Sequence, residues 1–161
     1  MLIKKQVLTV FSVVFSLLAV ALSGSAAQAA SLSRSETSIL GEVNAVRATH
    51  GLTALGVDTR LTRAARDHTA RLLRTDAFTH GALHSRLGSY GVRGPLLGEN
   101  LAWGVGARAS ARTIVQSWMT SPGHRANLLR PGFRRIGIGA RVGSFLGYGR
   151  ATVVTADFAG Q

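Results

Sequence analysis

The chain has 161 residues, a net charge of +12 and no cysteine. Its length suits one domain with one hydrophobic core. Without cysteine that core is held by packing alone, and disulfides, thiolate metal sites and a cysteine nucleophile are all excluded.

The N-terminus has the layout of an export signal. Lys4 and Lys5 precede an uncharged, mostly apolar run from Val7 to Leu22, and Ala27-Gln28-Ala29 follows with small-x-small spacing. The run is shorter than the roughly 20 residues of a membrane span. Cleavage after Ala29 is therefore expected, giving a signal peptide over 1–29, a short leader over 30–35 and a domain over 36–161. A secreted, extracellular protein follows, either free in the medium or held non-covalently at the wall.

After Lys5 every basic residue is arginine. Such a surface attracts anionic polymers, among them wall polymers and acidic lipids. The arginines are scattered (Arg47, Arg60, Arg63, Arg66, Arg71, Arg74, Arg86, Arg93) and no aromatics alternate with them as a base-stacking surface needs. They read as a dispersed solvated shell, and no specific nucleic-acid partner is expected.

Ser33 and Glu36 have capping-box spacing ahead of Ile39, Leu40, Val43 and Val46, which predicts a helix ending near Gly51. Asp58 is placed to cap a second helix, on which Leu61, Ala65, His68 and Leu72 form one stripe. His68 reads there as a satisfied core histidine. From Asp76 to Gly98 glycines break the pattern, with a short helix expected over 85–89 and Tyr90 at its end. "GENLAWG" (98–104) reads as a loop entering a short strand. Ser110 caps a third helix with Ile114, Val115, Trp118 and Met119 inward, and Ser121-Pro122-Gly123 reads as its stop. "RIGIGARV" (135–142) alternates at period two, and "RATVVTADF" (150–158) is rich in β-branched residues. These are the two strands of a hairpin turning at 147–149. Helices first and strands last give an α+β domain with helices packed on a small antiparallel sheet.

Chemistry-bearing residues are few. His50 sits at a presumed helix end, where a cation suits the dipole. His80, Glu99 and His124 read as polar groups on loops, where rigid scaffolds display functional residues. Their spacing matches no compact metal motif, and neither a G-x-S-x-G elbow nor a phosphate loop is present. Spacing alone leaves the site undecided.

Seven segments in order carry more information: "EVNAVRATHGLTAL" (42–55), "LTRAARDHTARL" (61–72), "FTH" (78–80), "GENLAWG" (98–104), "SWMTSPGHRANLL" (117–129), "FRRIGIGA" (133–140) and "TADF" (155–158). Together they resemble the CAP superfamily of cysteine-rich secretory, antigen 5 and pathogenesis-related proteins, in its bacterial secreted branch. The resemblance covers the mature chain and implies a three-layer α-β-α sandwich, the CAP or SCP fold. It also implies a cleft in which His80, Glu99 and His124 converge as candidate catalytic residues.

Many eukaryotic members carry a second glutamate where this chain has Ser121. His80 and His124, with Glu99, could still ligate Zn2+ with one position open, but the missing carboxylate weakens that site. Without metal, Glu99 could instead pair with a protonated imidazole and leave a polar binding pocket. Ser121 and Arg125 are the remaining candidate ligand contacts. Asn44, Arg47, Asn100 and Asn127 match family positions as scaffold residues, while Trp103 and Trp118 read as core or cleft wall. Whether the protein is an enzyme stays open at this point. Three readings follow: a monomeric binding module for a lipid, cell-wall or protein ligand, a metal-assisted peptidase or envelope hydrolase, and a charge-driven envelope adhesin.

Overall fold

Ser33 starts the first helix as its sequence spacing requires. Its hydroxyl accepts from the Glu36 amide while Glu36 returns to the Ser33 amide, closing a capping box. This computed structural model describes residues 31–160, so the signal-peptide segment lies outside the described residues. Helix α1 spans Arg34–Thr49 and so begins inside the stretch read as leader. The elements that follow are β1 (Gly56–Val57), α2 (Thr59–Thr75), α3 (Leu83–Ser89), β2 (Leu97–Gly104), α4 (Ala111–Thr120), α5 (Pro122–Leu128), β3 (Phe133–Phe145) and β4 (Tyr148–Gly160). Asp58 and Ser110 cap α2 and α4 with their side chains, as expected.

The sheet has the order β1-β3-β4-β2. Its β3–β4 and β4–β2 pairs are antiparallel, and two-residue β1 adds a short parallel edge on β3. The hairpin turns on Leu146 and Gly147, both at positive φ. That is one residue earlier than the glycines at 147–149 suggest, and it matches the twist of a two-residue loop.

Side chains alternate across the sheet. On one face Ile136, Ile138, Val154, Ala156 and Phe158 pack with Ile39, Val43, Ile114, Val115 and Trp118 in the largest apolar cluster. On the other face α2 lies very close: a Cβ at Gly137 would collide with the Leu61–Thr62 peptide, and one at Gly139 with the Ala65 backbone. Helices thus cover both faces of the sheet, an α-β-α sandwich.

Two expectations change. "GENLAWG" lies entirely within a strand, so Glu99 is a strand residue rather than a loop residue. Pro122 and Gly123 end α4 only by opening α5, because proline suits the first turn of a helix, where its missing N–H is not needed. His124 is therefore helical, and of the three candidate residues only His80 lies in a loop.

Candidate functional site

Strand β2 stands at the sheet edge and divides its side chains between the layers. Glu99 faces α2 and α3, while Asn100 faces α5 and donates through Nδ2 to the His124 carbonyl at 3.0 Å. Asn127 donates to the carbonyl of Glu99 and to Oδ1 of Asn100, both at 3.0 Å. Two asparagines therefore fix the start of α5 against the strand that carries Glu99. Asn44 likewise holds the Leu55 backbone, and Trp118 donates to the Leu101 carbonyl from within the core. These residues fill the scaffold roles expected of them.

Glu99 is almost fully buried, and both of its oxygens are engaged. Oε1 lies 2.7 Å from Nδ1 of His80, whose side chain is 58% exposed. Oε2 accepts from Nη2 of Arg86 and lies 3.6 Å from Nε2 of His68. Arg86 also forks onto Asp157, at 2.7 Å and 3.0 Å. Asp157 stands opposite Glu99 in the β2–β4 register, so two carboxylates share one guanidinium. Burial and the neighbouring Asp157 push the Glu99 carboxyl up to about 8. Burial raises Asp157 too, although Arg86 pulls against it. Burial opposes the charge on Arg86, but Asp157 and Glu99 overcome that and raise its pKa.

His68 is buried, as its apolar stripe requires, but only half satisfied. Nε2 lies 3.1 Å from the Thr79 carbonyl, which can only accept, so the proton sits on Nε2. Nδ1 is then an acceptor with no partner. Burial first, then the charge of Arg86, lowers this imidazole to about 4, so it is neutral at pH 7.

The sequence-derived candidates separate into two groups. His80 and Glu99 meet directly. His124 is half-buried, and its pKa is lowered by burial and then by His80, so the two imidazoles share one electrostatic neighbourhood. Ser121 joins α4 to α5 as a common cap, and Arg125 is exposed on α5; neither bonds to His80 or Glu99. Arg86 and Asp157 were missed. Arg86 looks like one more surface arginine, yet its side chain is only 13% exposed. Asp157 did carry a signal, being an acid inside a β-branched, apolar run.

The donor set bears on metal binding. A zinc ion at His80 and His124 would have to displace His80 or Arg86 from Glu99 to gain a carboxylate ligand. Among the described residues no group of three or more histidines, acids or cysteines is arranged to hold a metal.

The profile of the cysteine-rich secretory protein family, CAP, matches residues 40–158. The chain belongs to this family. It is 32% identical over 114 residues to YkwD of Bacillus subtilis (strain 168), an alignment covering 68% of this chain and 43% of that one. It is also 32% identical over 110 residues to the membrane protein YlbC of the same organism, covering 65% and 31%. The chain thus spans less than half the length of these curated relatives. Among solved structures, an extracellular protein containing an SCP domain from Bacillus anthracis superposes with a TM-score of 0.66 at 27% identity, covering 79% of this chain and 40% of that one. An outer surface protein of Borrelia burgdorferi shares the fold, with a TM-score of 0.63 at 21% identity over 76% of this chain and 90% of that one. The CAP fold expected from the seven segments is the fold observed.

Proposed function

We propose that this CAP domain is an extracellular, monomeric binding module that holds an envelope-derived, lipid or protein ligand at the cleft of His80, Glu99 and His124. The observation that carries the reading is the engagement of both Glu99 oxygens by His80 and Arg86. A carboxyl so engaged, and only 1% exposed, is poorly placed to activate an incoming water, and its task is to orient His80 and anchor the cleft floor. The exposed polar groups left to a ligand are imidazoles, with Ser121 and Arg125 on the flanking helix. The extracellular setting is supported by the signal-like N-terminus and by the description of the Bacillus anthracis relative.

A calorimetric titration of the purified protein with fractionated envelope lipids and soluble wall fragments tests this. Saturable binding to one fraction, weakened at least about tenfold in His80→Ala/His124→Ala, is expected for a ligand that loses two hydrogen bonds. Binding no stronger than that of an unrelated basic protein would overturn the reading. Binding that vanishes at high salt would support the adhesin instead.

One observation favours the hydrolase as second reading. His80 has a buried carboxylate on Nδ1 and an exposed ring, the layout of an oriented general base. Turnover of wall peptides that disappears in His80→Ala would promote it, and chelator sensitivity would decide whether Zn2+ takes part.

A further inference from the structure

Between α2 and α3 lies a cavity of about 380 Å3 that shares the His80 wall with the cleft but is lined otherwise by different residues. Asp67, Arg71 and Arg74 reach it from one stripe of α2, at spacings of four and three residues that place side chains on a common face. His68 and Arg86 also line it, with Ser85, Ser89 and Tyr90 from α3 and its end. Asp67 is the sole carboxylate of the lining, and it already accepts from the Tyr90 hydroxyl at 2.5 Å.

The cationic side is uncommitted by contrast. Arg60, Arg66 and Arg135 each pair with an acid, whereas Arg71 and Arg74 form no ion pair or side-chain hydrogen bond among the described residues. Both are exposed at the cavity. The inner wall is incomplete too. Nε of Arg86, a donor, is buried without a hydrogen-bond partner among the described residues, and Arg86 is one of the lining residues. A buried polar atom without a partner is costly, and a built site is one reason for it to persist.

We propose that this cavity binds a phosphoryl group, with Arg71 and Arg74 as its charged contacts at the mouth and Arg86 behind them. Two free guanidiniums offer more donors than a carboxylate can use. A phosphate presents several oxygens in the planar geometry a guanidinium fork matches, and carries more charge. The volume leaves room for a group esterified to it. The same chemistry is offered by a soluble phosphoester and by a phospholipid headgroup. This assignment rests on the binding-module reading above and names the chemistry of its ligand.

Calorimetry of the purified protein with inorganic phosphate, glycerol 3-phosphate and dihexanoyl phosphatidate tests it, with acetate as comparator. Arg71→Ala/Arg74→Ala removes both mouth contacts from exposed helix positions, so the fold should persist. Arg108→Ala/Arg112→Ala removes the same charge from α4 and the turn before it. Saturable phosphate binding is expected, at least about tenfold weaker in the first variant and little changed in the second. Tighter binding of the phosphatidate than of glycerol 3-phosphate would assign the group to lipid, and equal binding to a soluble ester. Equal loss in both variants, acetate binding as well as phosphate, or no phosphate binding at all would overturn the proposal. Should phosphate fail while an envelope fraction still binds, this assignment alone falls. Failure of both removes the binding-module reading itself.

Discussion

Two arginines lie inside this domain, and they are satisfied in opposite ways. Arg47, fully buried at the end of α1, donates only to backbone carbonyls. Nε reaches Thr53, Nη1 reaches Leu128 and Arg130, and Nη2 reaches Phe133. It stitches α1 to the segment between α5 and β3, and no carboxylate answers its charge. Arg86 has the reverse environment: two buried carboxylates converge on it while its Nε stays unpaired. One arginine is spent on fastening chain to chain. The other holds two buried carboxyls with raised pKa values at the wall of the His80 cavity, and only that second arrangement can respond to protons.

Replacing the fastener should cost most. Arg47→Ala takes a donor from four carbonyls, of which only those of Arg130 and Phe133 keep another, and opens a cavity, for an expected loss of about 4 kcal/mol in urea denaturation. That loss should be the same at pH 5 and pH 9, since no titrating partner is involved. Arg86→Met should cost about 3 kcal/mol at pH 9, above the folded Glu99 value, where the two buried carboxyls have released their protons and lost their common cation. At pH 5 much of the stability should return as they take up protons. If both variants respond alike to pH, the distinction drawn between the two arginines is wrong.

A smaller effect should be visible in the unaltered protein. The folded chain keeps a proton on Glu99 up to about pH 8, whereas the unfolded chain releases it near pH 4.5. The associated stability is complete below the unfolded value and is lost as pH rises through the folded one. His68 acts in the other sense: its folded value of about 4 lies under 6.5, so stability is lost as pH falls through that window. Between about pH 4.5 and 6.5 the His68 slope opposes that of Glu99, with which the raised Asp157 acts in the same sense. From 6.5 to 8 Glu99 acts without that opposition, and stability should fall by up to about 1 kcal/mol per pH unit. Glu99→Gln should flatten that decline, and an unchanged slope would show that Glu99 is not its source. Smallest is Ser33→Ala, which should cost about 1 kcal/mol by opening the cap of α1 while leaving both arginines in place.

Local rules account for what was legible in the sequence. Caps at Ser33, Asp58 and Ser110, the apolar stripes they introduce and the period-two strands all depend on neighbours within a few residues. His80, Glu99 and His124 stood out as polar groups, but only the resemblance joined them into one site, since they lie on a loop, a strand and a helix that no periodicity links. Arg86 stayed hidden for the same reason: its partner Asp157 is 71 residues away. His68 was rightly placed on an apolar face, but a stripe cannot reveal that only one ring nitrogen would find a partner. Pro122 misled because a proline that ends one helix and a proline that opens the next look alike in sequence.

The close approach of α2 to Gly137 and Gly139 has a consequence for anyone altering this domain. In the run Ile136-Gly137-Ile138-Gly139 the two kinds of position should accept variation very differently. Isoleucines pack against side chains, which can repack around a new shape, whereas the glycines abut main chain, which cannot yield. A library randomised over these four codons should recover varied aliphatic residues at 136 and 138 but almost nothing besides glycine at 137 and 139. Since His68 rides on that same helix, the pair of glycines works as a spacer gauge for the cleft. Redesign of the proposed ligand contacts is best confined to α3, α5, the His80 loop and exposed positions of α2 such as Arg71 and Arg74.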